Sequence, residues 1–193
     1  MKAGVFYGAK DFRIENIKKP VVGPADILVR VQACGICGSD LHSYKEGIFS
    51  RPGFVMGHEL AGEVVEAGRE VKDIKIGDRV IPMGGSSKDR NLACGECFWC
   101  TRGQPQWCAS ISRRPCGECD YCKSGQFWMC DKMQRYMGIG YSRNGGYSEY
   151  VLVPDAIMDV NVFRVPDSLS WEEATFVEPL SGAYKWAMMT GPQ

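Results

Sequence analysis

The chain has 193 residues, 45% of them hydrophobic, which is enough for one sizeable core and short for two. Lys+Arg and Asp+Glu each total 23, so the formal net charge is zero and nothing argues for nucleic acid or an acidic membrane surface as a partner. No run approaches the ~18 apolar residues of a membrane span, and the opening MKAGVFYGAK lacks the apolar stretch of a secretory signal, so the expectation is a cytoplasmic protein with no membrane contact.

In chain order, residues 1–7 form a short apolar strand, 12–15 alternate, and 27–31 are β-rich after the Gly23-Pro24 turn. Residues 39–44 predict a short helix, with Ser39 or Asp40 as its cap. Residues 60–67 and 79–82 are again strand-like. Helical pattern comes late, at 170–174, where Ser170 and Glu173 make a capping box, and at 180–189. Short strands separated by Gly and Pro turns suggest a mainly β barrel with few helices.

Residues 37–59 hold both histidines of the chain, His42 and His58, close to Cys37 and Glu59. Thiolate, imidazole and carboxylate are ligand types that suit zinc, and a mixed set of three with an open position suits chemistry. Spacing alone leaves the ordinary readings open: a lone Cys is usually a small buried hydrophobe, and a lone His a core or surface residue.

The surrounding residues add a resemblance. The run GHELAGEVVEAGREVKDIKIGDRV from Gly57, the upstream CGICGSDLH, the stretch Gly145-Gly146-Tyr147-Ser148-Glu149-Tyr150 and Glu178-Pro179-Leu180 are similar, in order, to the zinc-containing medium-chain alcohol dehydrogenase superfamily. The CGSD form with a late Glu-Pro resembles its sorbitol and threonine dehydrogenase branch. The resemblance implies that residues 1–193 are one GroES-like catalytic domain acting on a small alcohol or polyol; a homo-oligomer is left open.

It also implies roles. Cys37 and His58 would be zinc ligands, with a third ligand oxygen from Glu59 or Glu178. Ser39 and His42 would relay a proton, hydroxyl to imidazole to solvent. Asp40 would accept the second N–H of His58 and fix its tautomer. Zinc is a Lewis acid that lowers the pKa of an alcohol bound as alkoxide, so that hydride can leave near neutral pH. The plainer alternatives are that Asp40 and Ser39 only cap a helix and that His42 is a solvated surface residue.

One feature departs from the family pattern. Cys94, Cys97, Cys100 and Cys108 follow C-x2-C-x2-C-x7-C, and Cys116, Cys119, Cys122 and Cys130 repeat it 22 residues later. Four thiolates in a short loop can close a tetrahedral zinc shell, so the spacing reads as metal binding and not as disulfides. The family has one such lobe. Block 116–130 runs into the GGYSEY stretch as the family's lobe does, and 94–108 would then be an extra copy. A zinc-ribbon pairing of Cys94 and Cys97 with Cys116 and Cys119 stays open. The expected metals are one catalytic zinc and one or two structural ones.

No Gly-x-Gly-x-x-Gly leads from a strand into a helix, and Gly138-Ile139-Gly140 has Arg143 in the third place. The expectation is therefore a catalytic domain without its Rossmann domain, inactive alone, for which NAD or NADP comes only with the missing part. A non-catalytic zinc-stabilised β module that binds a partner, or an inactive product of duplication, are the alternatives from other classes.

Overall fold

The computed structural model describes residues 1–83, 118–124, 138–141 and 143–190. Two antiparallel sheets carry them. The smaller has the order β2-β1-β4, built from β1 (Lys2–Gly8), β2 (Asp11–Asn16) and β4 (Phe54–Val55). The larger runs β7-β3-β5-β6-β8, from β3 (Ile27–Cys34), β5 (Leu60–Ala67), β6 (Arg79–Pro82), β7 (Tyr150–Val153) and β8 (Val162–Arg164). A bridge between Ala3 and Ser148 links the two sheets. The mainly β expectation holds.

Strand β3 lies between β5 and β7, and its first three residues, Ile27, Leu28 and Val29, are all fully buried. That run suits a strand covered on both faces; strict alternation would mark a sheet with one wet face. Ile27 and Val29 join Leu60, Val64, Val80, Val151, Val153 and Val162 in one apolar cluster. Fully burying a side chain such as Leu60 is worth about 1.5–3 kcal/mol. Where β3 and β5 leave the core, the Arg30–Glu63 pair closes across the ladder at 2.9 Å. A second cluster, Ala61, Ile81, Val165 and Ala174, seats the helix α3 (Trp171–Thr175) on this sheet.

The remaining helices are α1 (Gly38–Glu46), α2 (Asp120–Lys123) and α4 (Val177–Thr190). The capping box at α3 forms as the sequence predicts: Glu173 N–H donates to Ser170 Oγ at 3.1 Å, and Ser170 N–H to Glu173 Oε2 at 2.8 Å. Two boundaries differ from the expectation. The cap of α1 is Cys37, and Ser39 and Asp40 lie inside the first turn. Asp40 occupies the third helical position, where its carboxylate reaches back to the Cys37 N–H at 3.0 Å; a carboxylate there meets the free N–H groups and positive end of the helix. Helix α4 begins at Val177, before Pro179, because proline is tolerated in a first turn. Strand β8 and helix α2, each under five residues, are not foreseen by the sequence pattern.

Of the eight lobe cysteines, Cys119 caps α2 and Cys122 is buried within it. Cys94, Cys97, Cys100, Cys108, Cys116 and Cys130 lie outside the described residues. Among the described residues no helix is long and apolar enough to cross a membrane.

Candidate metal centre

Three chain segments converge at the end of β3. The first is the β3–α1 connection, which carries Cys37. The second is Gly57-His58-Glu59, which leads into β5. Gly57 has φ +94°, a left-handed conformation that a side chain resists, and this turn brings His58 to the Cys37 end of the sheet. Gly35 N–H donates to the Glu59 carbonyl at 2.7 Å and locks the two segments together. The third is the start of α4, with Glu178.

One ligand atom each from Cys37, His58 and Glu59 lies within 4.8 Å of the others. His58 is 7% exposed, and among the described residues its Nδ1 is a buried polar atom without a hydrogen-bond partner. Asp40, 4% exposed, faces that nitrogen with Oδ1 at 3.9 Å, beyond hydrogen-bond length. Its other oxygen accepts from Cys37 N–H and, at 2.9 Å, from Tyr147 Oη–H. The carboxylate thus ties the helix cap to the GGYSEY stretch while it stands over His58.

The electrostatics of the set are lopsided. Burial raises the Glu178 carboxyl above the usual range; the charges of Glu59 and Asp40 push the same way, and His58 opposes them. Burial, then Asp40 and Glu59, push the Cys34 thiol up to about 12. Burial chiefly raises the phenols of Tyr141 and Tyr147 as well, again with help from Asp40. Several carboxylates and a thiol therefore crowd one imidazole in a half-buried space, an arrangement that a divalent cation would relieve. The donor types and their convergence fit zinc.

The other predicted residues are placed unevenly. Ser39 Oγ is 2.8 Å from Tyr141 Oη, so its partner is a phenol and not His42. His42 is on the outer face of α1, 57% exposed, with Nδ1 2.9 Å from Glu46 Oε1. Sequence reasoning missed Tyr141 and Tyr147. Tyr141 stacks on His58, ring centroids 4.6 Å apart, and its hydroxyl is 3.1 Å from His58 Nε2. The signal available was an aromatic residue enclosed by Gly138, Gly140, Gly145 and Gly146, where tight turns force close approach.

Comparison with known proteins gives the family. The Alcohol dehydrogenase GroES-like domain matches residues 23–114 and 108–167; one four-cysteine block begins in each segment. Sorbitol dehydrogenase of Bacillus subtilis is 32% identical over 186 residues, which is 94% of this chain and 43% of that protein. L-threonine 3-dehydrogenase of Shewanella baltica is 31% identical over 183 residues, 93% of this chain and 43% of its own length. A crystal structure of a zinc-binding dehydrogenase from Sinorhizobium meliloti bound to NADP superposes with a TM-score of 0.62 at 32% identity, covering 93% of this chain and 42% of that one. The chain thus spans less than half the length of these relatives.

Proposed function

The chain belongs to the zinc-containing medium-chain alcohol dehydrogenase superfamily, and on that premise we propose that it carries the metal half of an NAD(P)-linked enzyme that oxidises a secondary alcohol or polyol. The observation that carries the reading is the convergence of ligand atoms from Cys37, His58 and Glu59 within 4.8 Å of one another, with His58 buried.

Cys37 thiolate, His58 Nε2 and a carboxylate oxygen of Glu59 or Glu178 would hold zinc. When bound, the ion supplies Lewis acidity that lowers the pKa of an alcohol hydroxyl. The protein's own groups do the rest. The Asp40 carboxylate, 3.9 Å from His58 Nδ1, would favour the proton on that side by its charge, which leaves the Nε2 lone pair for the ion. Ser39, hydrogen-bonded to Tyr141 inside the site, would accept the substrate proton as it gives up its own, and solvent-facing His42, held by Glu46, would be the outer acceptor of that proton, reached through solvent. Hydride needs NAD or NADP as its acceptor, and residues 1–193 hold no Gly-x-Gly-x-x-Gly fingerprint for it, so on this reading they alone would neither bind the nucleotide nor turn over. The lobes 94–108 and 116–130 are proposed as structural zinc units within the one domain, 1–193.

The test is zinc titration into chelator-stripped protein, followed by competition with a chromogenic chelator. Wild type should hold one zinc that the Cys37→Ser and His58→Ala variants lose. Unchanged zinc binding in both variants would end the metal assignment, and saturable NAD binding by calorimetry would overturn the division of labour. Sorbitol-like polyols and threonine are the first substrates to offer a form that carries the cofactor-binding part.

A further inference from the structure

The hydroxyl of Tyr141 has no task in the account above. Its loop is fastened to the segment that carries His58. Asn144 Oδ1 accepts from Val55 N–H at 3.1 Å, Gly145 N–H donates to the Val55 carbonyl at 2.8 Å, and Gly146 N–H to the Gly57 carbonyl at 2.8 Å. The turn itself is closed by Gly140 N–H to the Arg143 carbonyl at 2.9 Å. The ring is thereby laid on the His58 imidazole, with planes 28° apart. A phenylalanine would stack equally well. The hydroxyl is the added feature, and it sits between two groups of the site, 2.8 Å from Ser39 Oγ and 3.1 Å from His58 Nε2.

His58 presents Nδ1 to Asp40, so Nε2 is the nitrogen left for a metal. A cation that takes the Nε2 lone pair removes the phenol's acceptor there. Tyr141 then keeps Ser39 and has one hydrogen-bonding valence unused, beside the imidazole on which its ring is stacked. A half-buried hydroxyl with an unmet valence favours a ligand group that meets it. We propose that Tyr141 is a ligand-positioning residue: its hydroxyl, anchored by Ser39, receives a second hydroxyl on the carbon next to the reacting one, so that the site prefers vicinal diols to monohydric alcohols. The proposal rests on the metal-centre reading.

The probe is Co2+ bound to the full chain, with the spectrum of Cys37→Ser subtracted so that lobe cysteines do not contribute. Propane-1,2-diol and propan-2-ol are titrated against the visible cobalt bands. In Tyr141→Phe the diol should bind about tenfold more weakly, equivalent to ~1.4 kcal/mol, while propan-2-ol changes by less than about twofold. Ser39→Ala, which frees the phenol from its anchor, should also erode the preference for the diol, and it decides the matter if Tyr141→Phe does not fold. Equal loss for both alcohols, or no loss for either, overturns the role of Tyr141 and leaves the metal centre standing. Absence of a thiolate-to-cobalt band that depends on Cys37 overturns both.

Discussion

Asp40→Asn should do more damage to metal binding than Asp40→Ala, although it does less damage to the fold. In the native site Asp40 Oδ2 accepts from both Cys37 N–H and Tyr147 Oη–H, at 3.0 and 2.9 Å, and Oδ1 faces His58 Nδ1. An asparagine that keeps those two bonds must place its oxygen at the Oδ2 position. Each bond then changes from charge-assisted to neutral, a loss of about 1 kcal/mol apiece and so about 2 kcal/mol in all. The amide NH2 now faces Nδ1. A donor there makes Nδ1 an acceptor, puts the imidazole proton on Nε2 and blocks the nitrogen a metal needs. Alanine leaves two half-buried donors without an acceptor, at about 1–3 kcal/mol each, yet leaves the tautomer free. Urea unfolding of the metal-free variants should therefore rank Ala below Asn in stability. Zinc competition should rank them the other way, with Asn about 100-fold and Ala about tenfold weaker than wild type. Zinc affinity that simply follows stability, with Ala the weaker binder, would refute the tautomer argument.

Gly145→Ala places a Cβ 2.2 Å from the Gly57 carbonyl oxygen and 2.6 Å from that of Met56, both backbone atoms, so denaturant unfolding should show a loss of about 3 kcal/mol or more, with weakened zinc binding because His58 shifts. Ser170→Ala removes the acceptor for Glu173 N–H and should cost about 1 kcal/mol in the same assay, with no effect on zinc affinity. Loss of zinc there would mean that α3 positions the site. Cys94 and Cys97 changed together to Ser should lower the zinc content by about one if the two lobes fold separately; retention of every structural zinc would sink the independent-lobe proposal.

Much of this was legible from residue order. The strands at 1–7, 12–15, 27–31, 60–67 and 79–82 were visible because turns of Gly and Pro punctuate them, and the α3 cap because Ser170 and Glu173 stand at the spacing a reciprocal bond requires. Cys37, His58 and Glu59 were legible as a chemical set, and the fold brings them together. What stayed hidden depends on long-range approach. Tyr141 is 102 residues from Ser39 and 83 from His58, and no local pattern announces either contact. The cap of α1 was misplaced because a cysteine is not a habitual cap; here the fold fixes Cys37 for other reasons and the reciprocal bond comes from Asp40. The hydrogen-bond partners of the two relay residues were hidden as well: Ser39 Oγ pairs with Tyr141 and His42 Nδ1 with Glu46.

The central claim is that Cys37 and His58 bind a metal that the four-cysteine blocks do not. Elemental analysis of protein purified without chelator, wild type beside a Cys37→Ser, His58→Ala double variant, addresses it directly. The account predicts about three zinc ions per wild-type chain and one fewer in the variant, with both proteins folded by circular dichroism. An identical zinc content in the two would contradict it.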